Sequence, residues 1–439
     1  MWRNVSFVER IELDFSGNIF NHAIVLGDVD NDQGHELAVG NTDGDLAIFK
    51  GSSKSPWKRC SSLGMITCIG VGDVFNKGKN VLVALTAEGW CNIFDIKADS
   101  SSETSKDLEA GDHLAPTFNQ HLPANGKVLL IEDVDGDGKV ELTVAYSDRV
   151  VRCFRWSTVQ DPETEEVTNN LIQIQKWQLA GQIGSLTVNF TEEGHPELLV
   201  AQPGGEYVTM TFKQGSELDL SSDSEGYNEE VLKSDQRANQ SASTEIIGGI
   251  SRQTSKQPGT YYAICTLDGN LLLVEKKQIL WSLQVDHQLF SLKKLDVTGN
   301  GKEEVVCCSW DGQTYIVNHN RAVVRYQFQE SVAAFTAGLY GVDNNPSFVY
   351  ATYNNKIYIY NSIQLPQVES TNLIEVMEKR ENTQELLDKI GLQGTDGLQS
   401  DSNFFSIMLT PPSSEICTTG CCMGGGTIRD CDFTCILGE

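Results

Sequence analysis

Seven times along this chain an apolar run meets a tight turn and returns as a second β-rich run. ELAVGNTDGDLAIFK begins at Glu36, NVLVALTAEGWCNIFDI at Asn80 and ELTVAYSDRVVRCFRW at Glu141. ELLVAQPGGEYVTMTF follows from Glu197, YYAICTLDGNLLLVEK from Tyr261, EEVVCCSWDGQTYIVN from Glu303 and SFVYATYNNKIYIYN from Ser347. Short β-branched and aromatic runs around Asp-Gly or Asn-rich turns are a strong local hairpin pattern. Aligned on Gly44, Gly89, Arg149, Gly205, Gly269, Gly312 and Asn355, the hairpins are 45, 60, 56, 64, 43 and 43 residues apart. The short steps match the roughly 40–45 residues of a four-stranded propeller blade. The long steps hold acidic or Ser/Gln-rich insertions at 99–113, 161–170 and 213–260.

An apolar run precedes each hairpin, faintest before the fifth, where only EIIGGIS stands upstream. A fourth run follows most hairpins but is missing after the last. FVERIELDF near the amino terminus is expected to supply it, because closing the ring removes the free strand edges. Residues 1–365 therefore predict an all-β, seven-bladed β-propeller closed by an N-terminal strand. A WD-type propeller is the rival, but Trp310-Asp311 is the one such dipeptide. Over 366–393, Leu373, Ile374, Val376, Met377, Leu386, Leu387 and Ile390 fall at helical spacing, so short C-terminal helices are expected. The polar, cysteine-rich chain over 394–439 is expected to be disordered, with no histidine or clean CxxC pair to form a zinc site.

Sixty acidic residues against 33 basic ones give a net charge of −27, which argues against nucleic acid and anionic lipid as partners. The three insertions and the tail hold most of that charge, so the blades are expected to be nearer neutral. No run reaches the roughly 18 apolar residues of a membrane span. MWRNVSFVER lacks the apolar core of a signal peptide, so a cytoplasmic chain with reduced thiols is expected. Cys60, Cys68, Cys91, Cys153, Cys265, Cys307 and Cys308 lie in or beside apolar runs, as core thiols do.

One motif carries chemistry. Asp133, Asp135, Asp137 and Glu141 occupy positions 1, 3, 5 and 9 of DVDGDGKVE, with Gly138 at position 6. Such oxygens can wrap calcium, which takes six to eight of them. Asp28, Asp30, Asp32 and Glu36 repeat the set, with the glycine shifted to position 7. A third loop keeps Asp296, Asn300 and Glu304, while Phe75 and Lys77 spoil a fourth at Asp73. The same residues also suit metal-free turns. No cofactor is required, and any calcium would be structural. Ser222, in the acidic stretch SELDLSSDSEGYNEE, is a candidate phosphorylation site.

These residues carry a resemblance. The DVDGDG loop resembles the calcium-binding FG-GAP repeat of the integrin-α propeller, without its literal Phe-Gly and Gly-Ala-Pro elements. HAIVLGDVDND at 22–32, GVGDVFNKGKN at 70–80, PANGKVLLIEDVDGDG at 123–138, LWSLQVDHQLFSLKKLDVTGNGKEEVV at 280–306 and WDGQTYIVNHNRAVVRYQ at 310–327 are similar to the integrin-α FG-GAP repeat-containing protein 2 family. The resemblance implies a non-enzymatic subunit of the KICSTOR complex, partnered by kaptin and a very large scaffold subunit. That complex holds the GATOR1 complex at the lysosomal surface to restrain TOR complex 1 during nutrient deprivation. The alternative is a calcium-dependent adhesion propeller of the integrin-head type.

Catalytic signatures are missing. GVGDVFNKGKN fails as a phosphate-binding loop, Gly70 and Gly72 lack the third glycine of a dinucleotide fingerprint, and neither GxSxG nor HExxH occurs. Histidines 22, 35, 113, 121, 195, 287 and 319 are scattered, as structural or surface histidines are.

Overall fold

The computed structural model describes residues 2–5, 10–98, 112–160, 167–210, 212, 227–230, 239–251 and 259–365. The expected helices over 366–393, the tail over 394–439 and Ser222 lie outside the described residues. Within them the chain forms seven sheets, each with a core of four strands, and no helix. The seven-bladed propeller expected from the hairpin repeat is what the chain adopts.

The first strands of blades 1 to 7 are Ile24–Gly27, Ile66–Gly72, Gly126–Glu132, Leu186–Phe190, Thr244–Ile250, Leu289–Leu295 and Val332–Tyr340. They pack side by side around the central axis, and the seventh closes against the first. Second strands such as Val81–Thr86, Glu141–Tyr146, Tyr261–Thr266 and Glu304–Ser309 are buried at every residue. Each is covered on both faces by neighbouring blades, so it reads as a continuous apolar run rather than an alternating one. All seven residues on which the hairpins align have left-handed backbones, with φ of 90° at Gly44, 99° at Gly89, 69° at Arg149, 82° at Gly205, 90° at Gly269, 87° at Gly312 and 60° at Asn355. The repeat is thus a repeat of one turn geometry.

The amino-terminal strand Ile11–Leu13 pairs antiparallel with Ile357–Tyr360 and completes blade 7, as expected. A second N-terminal piece was not foreseen: Trp2–Asn4 lies parallel to Val323–Arg325 at the rim of blade 6. The segments expected to be insertions also need correction. Val167–Gln178 takes 167–170 into a long hairpin with Val150–Gln160. The 213–260 stretch includes Tyr227–Glu230, the fourth strand of blade 4, while the run EIIGGIS supplies the first strand of blade 5, Thr244–Ile250, as expected. Asp112–His113 adds to the rim of blade 1 beside Lys58–Arg59.

Blade 5, the faintest in the sequence, is held to blade 4 by a polar ladder. Ser185 Oγ accepts from the Ile246 N–H at 2.7 Å, Thr187 Oγ1 from the Gly248 N–H at 2.8 Å and Asn189 Oδ1 from the Gly249 N–H at 3.0 Å. Gly249 has φ of 64° and sits in a bulge between Ile247 and Ile250. The irregular backbone explains the faint period-2 pattern, and the ladder satisfies its N–H groups. Gly248 permits this approach, since a Cβ there would stand 2.6 Å from the Val188 carbonyl oxygen. Backbone cannot yield as a side-chain tip can, so Gly248→Ala is expected to cost about 2 kcal/mol or more. Urea denaturation followed by intrinsic fluorescence measures it, with Gly338→Ala, where the nearest neighbour is the Leu26 side chain at 3.2 Å, as the comparison.

The strand order gives the ring two distinct faces. Turns between second and third strands share one with the blade-to-blade connections, here called the turn face. Loops after first and third strands share the other, the loop face.

Candidate functional site: the carboxylate loops

Glu36, Glu141 and Glu304 each begin a second strand and lie on the loop face. They are only 1%, 0% and 4% exposed. Each accepts a hydrogen bond from the backbone of the second loop residue: the N–H of Val29 at 3.1 Å, Val134 at 3.1 Å and Val297 at 3.0 Å. Those valines are themselves buried. The first loop residue binds the opposite arm. Asp133 accepts from the Gly136 N–H at 2.7 Å and the Gly138 N–H at 2.9 Å, and Asp296 accepts from the Gly299 and Gly301 N–H groups, both at 2.7 Å.

Positions 4 and 6 are left-handed in all four loops, whatever residue stands there. They are Asn31 and Gln33, Asn76 and Gly78, Gly136 and Gly138, and Gly299 and Gly301. The displaced glycine of 28–36 therefore changes nothing in the path of the chain. The Asp73 loop keeps the same shape, with Asp73 accepting from the Lys77 and Gly78 N–H groups at 2.9 and 2.6 Å. Backbone bonding to the leading aspartate is enough to build this turn.

What separates the loops is a cation from the third strand. Leu37 pairs with Phe49 and Leu142 with Phe154, so the next positions set Glu36 opposite Lys50 and Glu141 opposite Arg155. Lys50 Nζ lies 2.5 Å from Asp30, 2.6 Å from Asp32 and 3.1 Å from Glu36. Arg155 reaches Asp135 at 2.9 Å, Asp137 at 3.0 Å and Glu141 at 2.5 Å. Burial opposes the charge on both cations, but their carboxylate partners outweigh it and hold both pKa values above the ordinary range. The corresponding position in blade 6 is Asn318, and there the Thr298 hydroxyl donates to Glu304 at 3.1 Å. Lys50 and Arg155 escaped the sequence reading, although counting back across each hairpin from the glutamate would have found them.

Fit to a divalent ion therefore differs between the two complete loops. In 133–141 all eight carboxylate oxygens have partners: Asp135 and Asp137 also accept from the Asp137 and Lys139 N–H groups, at 3.2 and 2.8 Å. An ion there would have to displace the guanidinium. In 28–36, Asp28 Oδ1 and Asp30 Oδ1 are buried with no hydrogen-bond partner in the structure. Carboxylate oxygens of Asp28, Asp30 and Asp32 lie within 4.8 Å of one another. These hard oxygens suit calcium, so Asp28, Asp30 and Asp32 are the residues that would hold one, where it would brace the turn into the second strand. Removing Arg155 would strand a buried carboxylate. Arg155→Met is expected to lose about 2–3 kcal/mol, less than a fully buried pair because the side chain is 20% exposed. Millimolar calcium should return part of that loss in a thermal melt. A calcium-dependent rise in the Tm of the unaltered chain should vanish with Asp30→Asn.

A second cluster sits on the first strands and their approach. Burial, and then Lys293 and Lys127, push the His22 pKa down to about 3. Burial pushes Glu245 up to about 7, although Lys127 and Lys293 oppose it. His22 is neutral when folded, so its contribution is complete above the unfolded pKa near 6.5 and is lost on acidification towards 3. The Glu245 contribution is complete below about 4.5 and is lost as pH rises through 7. The two slopes oppose each other between those limits. Urea midpoints at pH 5, 6 and 7 should therefore fall more steeply on acidification in Glu245→Gln than in the unaltered chain, and rise in His22→Gln.

One histidine–carboxylate pair among the described residues lies beside a hydroxyl. His287 Nδ1 lies 2.7 Å from Asp311, and the Ser309 hydroxyl bonds the same carboxylate. Asp311 stands between the two, so His287 is not placed to take the proton of Ser309, as the histidine of a nucleophilic triad is. A groove of about 490 Å³ includes Asp14, Asp45, Arg59 and Cys60 in its lining. Burial holds the Cys60 thiol above its ordinary pKa, unlike an activated nucleophile. All seven core cysteines are buried and unpaired, as expected. Asn189, a formal glycosylation acceptor, is buried and bonded.

Fold and loops together define a seven-bladed propeller of the FG-GAP class. The family model for integrin-alpha FG-GAP repeat-containing protein 2 matches residues 50–365, and the chain belongs to that family. The KICSTOR complex protein ITFG2 of Mus musculus is 46% identical over 413 residues, covering 90% of this chain and 93% of that protein. The Bos taurus protein of the same name is 46% identical over 405 residues, covering 86% of this chain and 74% of its own length. Among solved structures, the BBS1N chain crystallised in complex with ARL6DN aligns with a TM-score of 0.56 at 12% identity, over 83% of this chain and 98% of that one. At that identity the likeness is one of fold.

Proposed function

We propose that this chain is a non-enzymatic scaffold subunit of a KICSTOR complex. In this reading it works beside a kaptin-like propeller subunit and a large scaffold subunit. The assembly recruits the GATOR1 GTPase-activating complex to the cytosolic face of the lysosomal membrane and restrains TOR complex 1 when amino acids or glucose run short. The carrying observation is 46% identity over nine-tenths of the chain to proteins named for that complex. The site geometry favours the same reading: the charged clusters are internally paired, the thiols are buried, and the described histidine–carboxylate pair lacks the order of a catalytic triad. No described helix is long and apolar enough to cross a membrane, so attachment through partners accounts for a lysosomal location. The adhesion reading depends on calcium in loops where Lys50 and Arg155 already neutralise three carboxylates each.

Affinity purification of the tagged chain from cells, with mass spectrometry, tests the proposal. The kaptin-like and large scaffold subunits should be recovered with the full chain and with one ending at Gly394. Recovery of neither with either chain overturns it.

A further inference from the structure

Large exposed apolar side chains gather on the turn face of four adjoining blades. Trp310 and Tyr353 stand in the turns of blades 6 and 7, Phe20 and Met65 in the connections into blades 1 and 2, and Trp90 at the turn of blade 2. Their exposures are 39%, 58%, 44%, 40% and 44%. These five large apolar side chains are left in water on one face of adjoining blades, where an interaction surface would need them. They are held in place from behind. Trp310 stacks on Phe290 at 6.0 Å, and its carbonyl accepts from the Val332 N–H at 2.8 Å. The Tyr353 N–H donates to Ser331 at 3.2 Å, and Trp90 packs edge-on against His121 at 5.1 Å. Beside Phe20, Asn21 bridges blades by accepting from the Phe335 N–H at 3.2 Å.

The charges on the same face are mostly acidic. Its seven strand turns carry Asp43, Asp45, Glu88, Asp148, Asp268 and Asp311, against Arg149 and Lys356. Both cations have partners: Lys356 pairs with Glu12 at 3.0 Å, and Arg149 donates to the Ala180 carbonyl at 2.9 Å. Glu330 adds a further acid in the connection into blade 7. Loops of the opposite face mix both signs, with Lys77, Lys79, Lys139, Lys302 and Arg321 beside Asp73, Asp133, Asp135, Asp137, Asp296 and Asp343.

We propose that the turn face of blades 6, 7, 1 and 2 is a docking surface for a basic segment of a partner protein, one carrying Lys or Arg beside aromatic or aliphatic anchors. The exposed rings supply hot-spot contacts and the acidic rim supplies steering and register. Charge excludes the chain's own extension as occupant, since residues 366–439 have 12 acidic and 4 basic residues. A second copy of a chain with net charge −27 meets the same repulsion. The proposal deepens the subunit reading by naming the surface and the chemistry it accepts.

The test uses the purified full chain and short fluorescent peptides of three designs: lysine with tryptophan and leucine, glutamate in place of lysine, and serine in place of the apolar residues. The first should bind with an affinity that falls as salt rises, and the other two at least about tenfold more weakly. Trp90→Ser combined with Trp310→Ser should weaken the first peptide at least about tenfold, while Lys139→Glu combined with Lys302→Glu on the opposite face should not. Thermal melts confirm that both variants fold. In the cell purification, the tryptophan variant should lose at least one complex subunit that the lysine variant keeps. Equal binding of the peptides, or undiminished binding by the tryptophan variant, overturns the docking surface. So does light scattering that shows the tryptophan variant converting a dimer to a monomer, because the occupant would then be a second copy. If the unaltered chain recovers no complex subunit while the peptide preference holds, the subunit reading fails and the surface stands.

Discussion

The ring depends on three residue pairings between the two ends of the propeller: Ile11 with Ile359, Glu12 with Tyr358 and Leu13 with Ile357. Closing a loop of that length carries a large entropic cost, although the cost grows only slowly with length. Three backbone pairings alone would not meet it. The pairing is supported by the core it completes, where Leu13, Ile357 and Ile359 join Val349 and Ala351 of blade 7 and Ile24, Leu37 and Ile48 of blade 1 in one cluster. The Arg10 guanidinium lies over the Tyr358 ring at 4.4 Å and covers the seam from outside. Without the strand, Ile357–Tyr360 would present an apolar edge of the kind that recruits other chains.

Every other blade is placed by that closure, and buried polar pairs fix the fit between neighbours. Tyr207 and Tyr262 join hydroxyls at 2.7 Å between blades 4 and 5. Tyr326 and Tyr360 do so at 2.7 Å between blades 6 and 7, and Thr314 meets Tyr350 at 2.8 Å across the same boundary. A hydrophobic interface between two sheets tolerates small slips. A buried hydroxyl that loses its partner costs the full desolvation of the group, so these pairs select one register.

The same distinction explains what was legible in the sequence. Hairpins were legible because a left-handed turn calls for glycine or asparagine at one position, and six of the seven blades supply one there; Arg149 is the exception, and flanking runs rescued it. The terminal strand was legible because a ring must close. Carboxylate loops were visible as a motif, yet their chemistry was only half visible, since the partner of Glu141 is 14 residues away across a hairpin. The loop that looks more complete in sequence, 133–141, proves saturated, whereas 28–36 keeps two unpartnered oxygens. Trp2–Asn4 and Asp112–His113 were illegible because two or three residues added in parallel carry no periodicity. Blade 5 was faint because side-chain hydroxyls and amides of blade 4, rather than an apolar alternation, hold its first strand.

Lys50 and Arg155 also bear on how such a propeller can serve where calcium is scarce. A divalent ion binds a carboxylate loop at an entropic and dehydration cost that falls due at each binding event, and occupancy follows concentration. A cation carried on the adjacent strand is present at the effective concentration of the fold itself, so its occupancy is independent of the medium. The exchange weakens the charge at the centre from two to one; the oxygens that Asp28 and Asp30 leave unpartnered in blade 1 are those that in 133–141 accept backbone N–H groups. Arginine meets its three carboxylates through a planar fork, whereas Lys50 meets its three from one ammonium. Blade 6 has neither cation, and Glu304 rests on the Val297 N–H and the Thr298 hydroxyl alone, with burial raising its pKa to about 7. Lys50 and Arg155 each pair with three carboxylates, whereas the blade 6 loop is held by hydrogen bonding. Since all three hold the same backbone path, the cation serves to neutralise a buried glutamate rather than to shape the turn.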